Sequence, residues 1–174
     1  MRFLKLAILS LLVCLMIPVL ACGEDLGVTA LEPIAMPAEA DAQVLELYCG
    51  PTQGFHREAG QTLDTGKDYV IFGQYDCWAM AAQGTPDAFG PVGWVEAGSI
   101  ESLSYDPQLA FEDALMVTVE DEAILTNDFE NAIVRVVPGT AVTLLAQFGE
   151  WGYVQAEFDD MLPIRAFIPM AAIL

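Results

Sequence analysis

The chain repeats itself. Shifted by 73 residues, its second half falls on its first without a gap: Gly66-Lys67-Asp68-Tyr69-Val70 lies over Gly139-Thr140-Ala141-Val142-Thr143, Trp78 over Trp151, Gly93-Trp94-Val95 over Ala166-Phe167-Ile168, and Ile100 over Ile173. Such a period means one supersecondary unit used twice, so each copy must fold and work within about sixty residues. The short runs within a copy are rich in β-branched and aromatic residues and separated by turn formers. They are Val44 to Tyr48, Asp68 to Phe72, Cys77 to Ala81 and Val92 to Val95 in the first copy. In the second they are Leu115 to Val119, Ile133 to Val137, Thr140 to Ala146, Trp151 to Ala156 and Ile164 to Ile168. No helical periodicity is sustained, and Phe72 to Asp76 reads as a hairpin turn. Few short strands cannot cover a flat sheet on both faces, so the reading is all-β, each copy wrapped into a small barrel or sandwich.

Ahead of the copies, Arg2 and Lys5 precede the apolar run Leu6 to Leu20, too short for a membrane span of about 20 residues. The run closes on Val19-Leu20-Ala21-Cys22-Gly23, which resembles a bacterial lipobox. The resemblance implies a signal peptide over residues 1–21, a lipid on the Cys22 sulfur, and export with anchorage to the outer face of the cytoplasmic membrane or to the outer membrane. The alternative is an ordinary secretory signal. Residues 22–43, with Pro33 and Pro37 among Ala, Glu and Asp, read as a flexible acidic spacer; 44–100 is the first domain, 101–113 a connector and 114–174 the second domain.

The formal net charge is −19, and loss of Arg2 and Lys5 with the leader leaves −21. Nucleic acid is excluded as a partner, since only Arg57, Lys67, Arg135 and Arg165 remain to displace counterions. Cys49 and Cys77 in an exported chain invite a disulfide, worth roughly 3–4 kcal/mol for the loop it closes. At an offset of 73 the second copy carries Glu122 and Glu150 in their places. The competing reading, a Cys49 nucleophile with His56 as base, lacks a third, orienting group. Paired acids among Asp113, Glu120, Asp121 and Glu122 for a hydrolase, or Asp128 with Glu130 and Asp159 with Asp160 for cation capture, stand out little among 25 acids. No metal site and no cofactor are expected.

Trp94 and Phe167, in apolar triplets near the module ends, read as core. Trp78 and Trp151, at strand starts after polar turns, divide between core and binding surface. With Tyr48, Phe55, Tyr75 and Tyr153 they form the set of ligand-binding candidates, aromatics near loops being suited to stacking on a peptide or sugar.

Tyr48-Cys49-Gly50-Pro51-Thr52, Gly66 opening a strand, Asp76-Cys77-Trp78 and Gly93-Trp94-Val95 follow one another as in the bacterial Src homology 3-like family, which the first copy resembles. The second copy keeps Gly139-Thr140, Gly149 to Val154 and Phe167-Ile168-Pro169 but has Ala123-Ile124-Leu125 for the Gly-Pro element. Tyr48 stands where the family commonly has arginine. The resemblance implies two tandem Src homology 3-like barrels that bind a cell-wall peptide, a glycan or an envelope protein without catalysis.

Overall fold

The structure, a computed structural model, describes residues 27–58, 60–100 and 108–174. The signal peptide (1–21) and Cys22 lie outside the described residues. Among those residues there are thirteen strands, two short 3-10 turns and no α-helix. In chain order β1 (Thr29–Ala30), β2 (Ile34–Met36), β3 (Val44–Glu46), β4 (Thr62–Asp64), β5 (Tyr69–Tyr75), β6 (Trp78–Thr85) and β7 (Ala88–Glu96) precede the turn Ala97–Ser99. There follow β8 (Leu115–Thr118), β9 (Ala123–Leu125), β10 (Val134–Val136), β11 (Ala141–Phe148), β12 (Trp151–Phe158), β13 (Met161–Pro169) and the turn Met170–Ala172. The all-β reading holds: β2-β5-β6-β7 form one antiparallel sheet, β8-β11-β12-β13 another, and β3-β4 and β9-β10 are two-stranded ribbons.

The repeat is legible strand by strand. β6, β7 and the first 3-10 turn recur as β12, β13 and the second at an offset of 73, and the bulge between Ile71 and Gly73 recurs between Leu144 and Ala146. The β5-β6 hairpin turns at Asp76-Cys77, after Tyr75 and later than Phe72 to Asp76 suggested. Asp76 takes φ 55 there, and its counterpart Gly149 takes φ 55 without a Cβ to crowd. Ahead of Gly66 the offset changes. Tyr48 exchanges backbone hydrogen bonds with Trp94 (3.0 and 2.9 Å), and Thr126 does so with Phe167 (3.0 and 2.7 Å). Leu45 pairs with Leu63 as Ala123 pairs with Val136. Tyr48 therefore corresponds to Thr126 and Cys49 to Asn127, not to Asp121 and Glu122.

Residues 27–43 are not a free spacer. β1 pairs in parallel with β11 of the second copy, and Leu31 N–H donates to the Gln147 carbonyl at 2.8 Å; β2 then pairs with β5 of the first copy. The end of the connector does the converse. Gln108 bridges Gln74 in parallel and Leu109 N–H donates to the Gln74 carbonyl at 2.6 Å, after which β8 pairs with β11. Each copy thus lends its leading residues to the other, and the two crossing segments touch where the Thr29 hydroxyl donates to the Ala110 carbonyl at 2.7 Å. Residues 101–107 of the connector lie outside the described residues.

The exchange continues at the loops. Arg165 N–H donates to the Cys49 carbonyl at 2.6 Å, and Val92 N–H, at the position equivalent to Arg165, donates to the Asn127 carbonyl at 2.8 Å. Strand alternation explains how two copies share one interior. Tyr69 and Ile71, Ala79 and Ala81, and Val95 face the first copy's own core, while Val70, Phe72, Met80, Val92 and Trp94 face the other way. In the second copy Val142 and Leu144, Val154, Ile164 and Ile168 face inward, while Leu145, Tyr153 and Phe167 turn to the junction. Leu31 and Leu109 complete this third core. Trp94 and Phe167, core in the sequence reading, have no exposure, and both lie in the junction. The Trp94 indole N–H donates to the Tyr153 hydroxyl at 2.6 Å across it.

Candidate functional site

In the first copy the β3 strand, the turn after Tyr48 and the end of β7 enclose a groove of about 220 Å³. Its lining includes Val44, Leu45, Glu46, Tyr48, Gln53, Trp78, Glu96 and Ser99. Tyr48 is fixed by its two backbone bonds to Trp94, and its ring meets Trp78 edge-on, centroids 5.5 Å apart at 81°. That is the geometry in which the positive edge of one ring meets the negative face of another. Trp78, nearly buried, supplies a wall; half-buried Tyr48 and exposed Val44 supply accessible apolar surface. Glu46 is held by Arg57, and Glu96 lies exposed on the rim, so an aromatic floor carries acidic edges.

The same place in the second copy is also concave, with a volume of about 400 Å³, but its chemistry differs. Ala123, Ile124, Pro169, Ala171 and Ala172 line it, with Asp121 and the Glu122–Arg135 ion pair (3.5 Å) at the edge. Thr126 stands for Tyr48, Pro169 for Glu96 and Ala172 for Ser99, and no aromatic ring lines it. Trp151 instead packs against Phe129, centroids 5.3 Å apart. Phe129 holds φ 65, an uncommon conformation for a bulky residue, and its ring meets Phe89, Phe148, Trp151 and Phe167. The turn is fastened by Asp128. Burial would raise this carboxyl, but the Asn131 side-chain amide, the backbone N–H groups of Asn131 and Glu130 and the Thr126 hydroxyl all donate to it and bring it down to about 2.

Phe55 and Tyr75 meet elsewhere. With Phe111 they surround the Arg165 guanidinium at 5.3, 5.4 and 5.3 Å from the ring centroids. Arg165 Nε donates to Gln155 Oε1 at 3.0 Å, Nη1 has no hydrogen-bond partner, and burial lowers the pKa of the guanidinium. Gly50 makes room for the arrangement: a Cβ there would lie 2.2 Å from the Phe55 ring. Phe55 and Tyr75 thus pack a cation between the copies and lie outside the groove. Tyr153 is a correction of a different kind, because its ring is buried in the junction and its hydroxyl accepts from Trp94.

The two cysteines are free, against the disulfide expected of them. Cys49 points into the second copy's core, and Cys77 sits exposed in the β5-β6 turn. Burial, then the Glu58 charge, push the Cys49 thiol up to about 12, away from the thiolate that a nucleophile needs, and the His56 backbone carbonyl accepts the Cys49 N–H at 2.9 Å. Asp113, Glu120, Asp121 and Glu122 are exposed, and Asp121 and Glu122 stand at the edge of the second copy's concavity. Among the described residues no three His, Cys, Asp or Glu side chains are placed to hold a metal ion.

No family model, curated protein or solved structure matches the chain. The site therefore rests on its own geometry. Of the six aromatic candidates, Tyr48 and Trp78 share the groove, Phe55 and Tyr75 share the Arg165 cluster, and Trp151 and Tyr153 belong to the packing between copies. Sequence reasoning passed over Arg165, Phe111 and Phe129. Arg165 had a signal, as a lone charge inside the apolar stretch Ile164-Arg165-Ala166-Phe167.

Proposed function

We propose that the chain is a non-catalytic, exported, lipid-anchored binding protein whose two copies are Src homology 3-like barrels, and that the first copy's Tyr48–Trp78 groove takes a peptide of the cell envelope. The single bridges Tyr48 to Trp94 and Thr126 to Phe167 support closure, since each joins the residues just beyond a two-stranded ribbon to the last strand of the same copy's larger sheet. The observation that carries the function is the doubled concavity, furnished with two aromatic rings and acidic edges in one copy and with small apolar residues in the other. An extended peptide with an apolar or cyclic side chain against Tyr48 and an amine toward Glu96 suits such a groove. A glycan or a protein segment would use the same rings. If Cys22 carries the lipid, five residues separate it from Val28, which packs against the second copy's core just ahead of β1, a reach of about 20 Å. The body is then held close to the membrane.

Retention on purified peptidoglycan, followed by titration of the soluble peptides released from it with tryptophan fluorescence as readout, tests this reading. Tyr48→Ala is expected to weaken binding about tenfold or more, in the range of an interface anchor, while Ile124→Ala in the second concavity leaves it nearly unchanged. Equal retention of wild type and Tyr48→Ala, or no retention of either, refutes the wall-peptide assignment.

A further inference from the structure

The four-stranded sheet of the first copy and the five-stranded sheet of the second, which includes β1, end on edges that are protected differently. β2, the outer strand of the first sheet, is bracketed by Pro33 and Pro37, which cannot donate to a further strand. β8, its counterpart, is Leu115-Met116-Val117-Thr118, flanked by Ala114 and Val119, with neither a proline nor a charge. It pairs with β11 on one side, and among the described residues no strand pairs with it on the other. Every second N–H and C=O of such a strand faces outward. Met116 is 82% exposed, the most exposed of the large apolar side chains described, and beside it Val142, Thr143, Gln155 and Glu157 form a shallow depression of about 210 Å³.

The charges around this edge have one sign. Glu112 and Asp113 precede it, Glu120 and Asp121 follow it, and Glu157 lies in the depression, all exposed. The two cations of this copy are engaged elsewhere, Arg135 with Glu122 and Arg165 with Gln155. A second copy of the chain would bring the same acids against these at a net charge of −19 each, so self-pairing is opposed. We infer that β8 is a docking edge for an extended, lysine- or arginine-bearing segment of another protein, which adds as a strand beside Leu115–Thr118, lays an apolar side chain on Met116 and places its cations toward the acids at either end, Glu112, Asp113, Glu120 and Asp121.

The test uses the exported chain and a capped peptide of about eight residues alternating Lys with Val, with amide hydrogen exchange read residue by residue. The outward-facing amides of 115–118 should slow by about tenfold or more. Binding should be abolished when the central Val of the peptide is replaced by Pro, and when its Lys residues become Glu. Met116→Lys, at a side chain too exposed to matter for folding, should weaken binding about tenfold at unchanged melting temperature. Three results would overturn the inference: protection elsewhere, as in the Tyr48–Trp78 groove; equal binding of the Glu peptide; or sedimentation showing a dimer of the chain paired through β8.

Discussion

Tyr153→Phe removes one oxygen atom and tests whether the two copies form one cooperative body. The hydroxyl accepts the Trp94 indole N–H at 2.6 Å, the donor from β7 and the acceptor from β12, both side chains essentially without solvent exposure. Phenylalanine fills the same space, so hardly any packing is lost. The indole N–H is left buried and unpaired, at about 1–3 kcal/mol. For an ordered body of this size that is a fall of about 3–9 °C in melting temperature. Calorimetry should show a single transition that moves as a whole, since the junction core belongs to both copies. In a double-mutant cycle with Trp94→Phe the coupling should exceed about 0.5 kcal/mol, the additivity limit for independent sites. Burial, before any other influence, also raises the Tyr153 hydroxyl above its ordinary value, so the folded chain keeps a proton that the unfolded chain releases near pH 10. Stability from this group is therefore complete below about pH 10 and declines as pH rises further, and Tyr153→Phe should abolish that share of the alkaline loss. Two separate transitions, with only the second copy's affected, would refute the shared interior.

Leu31→Ala is expected to destabilise the whole chain by about 2–4 kcal/mol in denaturant titration, because its side chain is buried between the copies; no change would restore residues 27–43 to a spacer. At Phe129 the usual ranking should invert: both Ala and Gly lose the ring, but Gly relieves φ 65 and should be the more stable of the two by about 1 kcal/mol. Without reductant, alkylation followed by mass spectrometry should label Cys77 in the native state and Cys49 only after unfolding. Protection of both until reduction would re-establish the bridge.

The period of 73 residues was readable because β6 and β7 recur as β12 and β13 at equal length, and β5 recurs within β11, which starts one residue earlier, with the same bulge. What precedes Gly66 escaped because the loops there differ in length. The ladder aligns Tyr48 with Thr126, five residues beyond the place that an unbroken offset gives, and the Cys49 counterpart changes from Glu122 to Asn127 accordingly. The leading strands were harder still. β1 has two residues and β2 three, beside two prolines, so composition spoke for a spacer while the strands are formed by pairing with residues far along the chain. Among the aromatics, alternation gave Trp94 and Phe167 their burial but not what they face. A strand covered on both sides reads as continuous apolar sequence, and the partner on its second face was the other copy.

Covering both faces of the central strands also governs where two copies of one unit can diverge. At positions facing a copy's own interior the pairs remain apolar: Leu63 with Val136, Tyr69 with Val142, Ile71 with Leu144, Val95 with Ile168. At the junction one copy's residues touch the other's, so change there must be answered across the interface. Arg165, where the first copy has Val92, is met by Phe55, Tyr75 and Phe111, and Val92 belongs to the hydrophobic cluster of the junction instead. The concavities answer to neither constraint. Tyr48 against Thr126, Glu96 against Pro169 and Ser99 against Ala172 alter what a ligand meets without disturbing the sheet behind. A duplicated fold with an interlocked interior can hold one rim for recognition and leave the other small and apolar, and the divergence of these rims, set beside the sameness of the cores, is what supports the proposed binding role of the first copy.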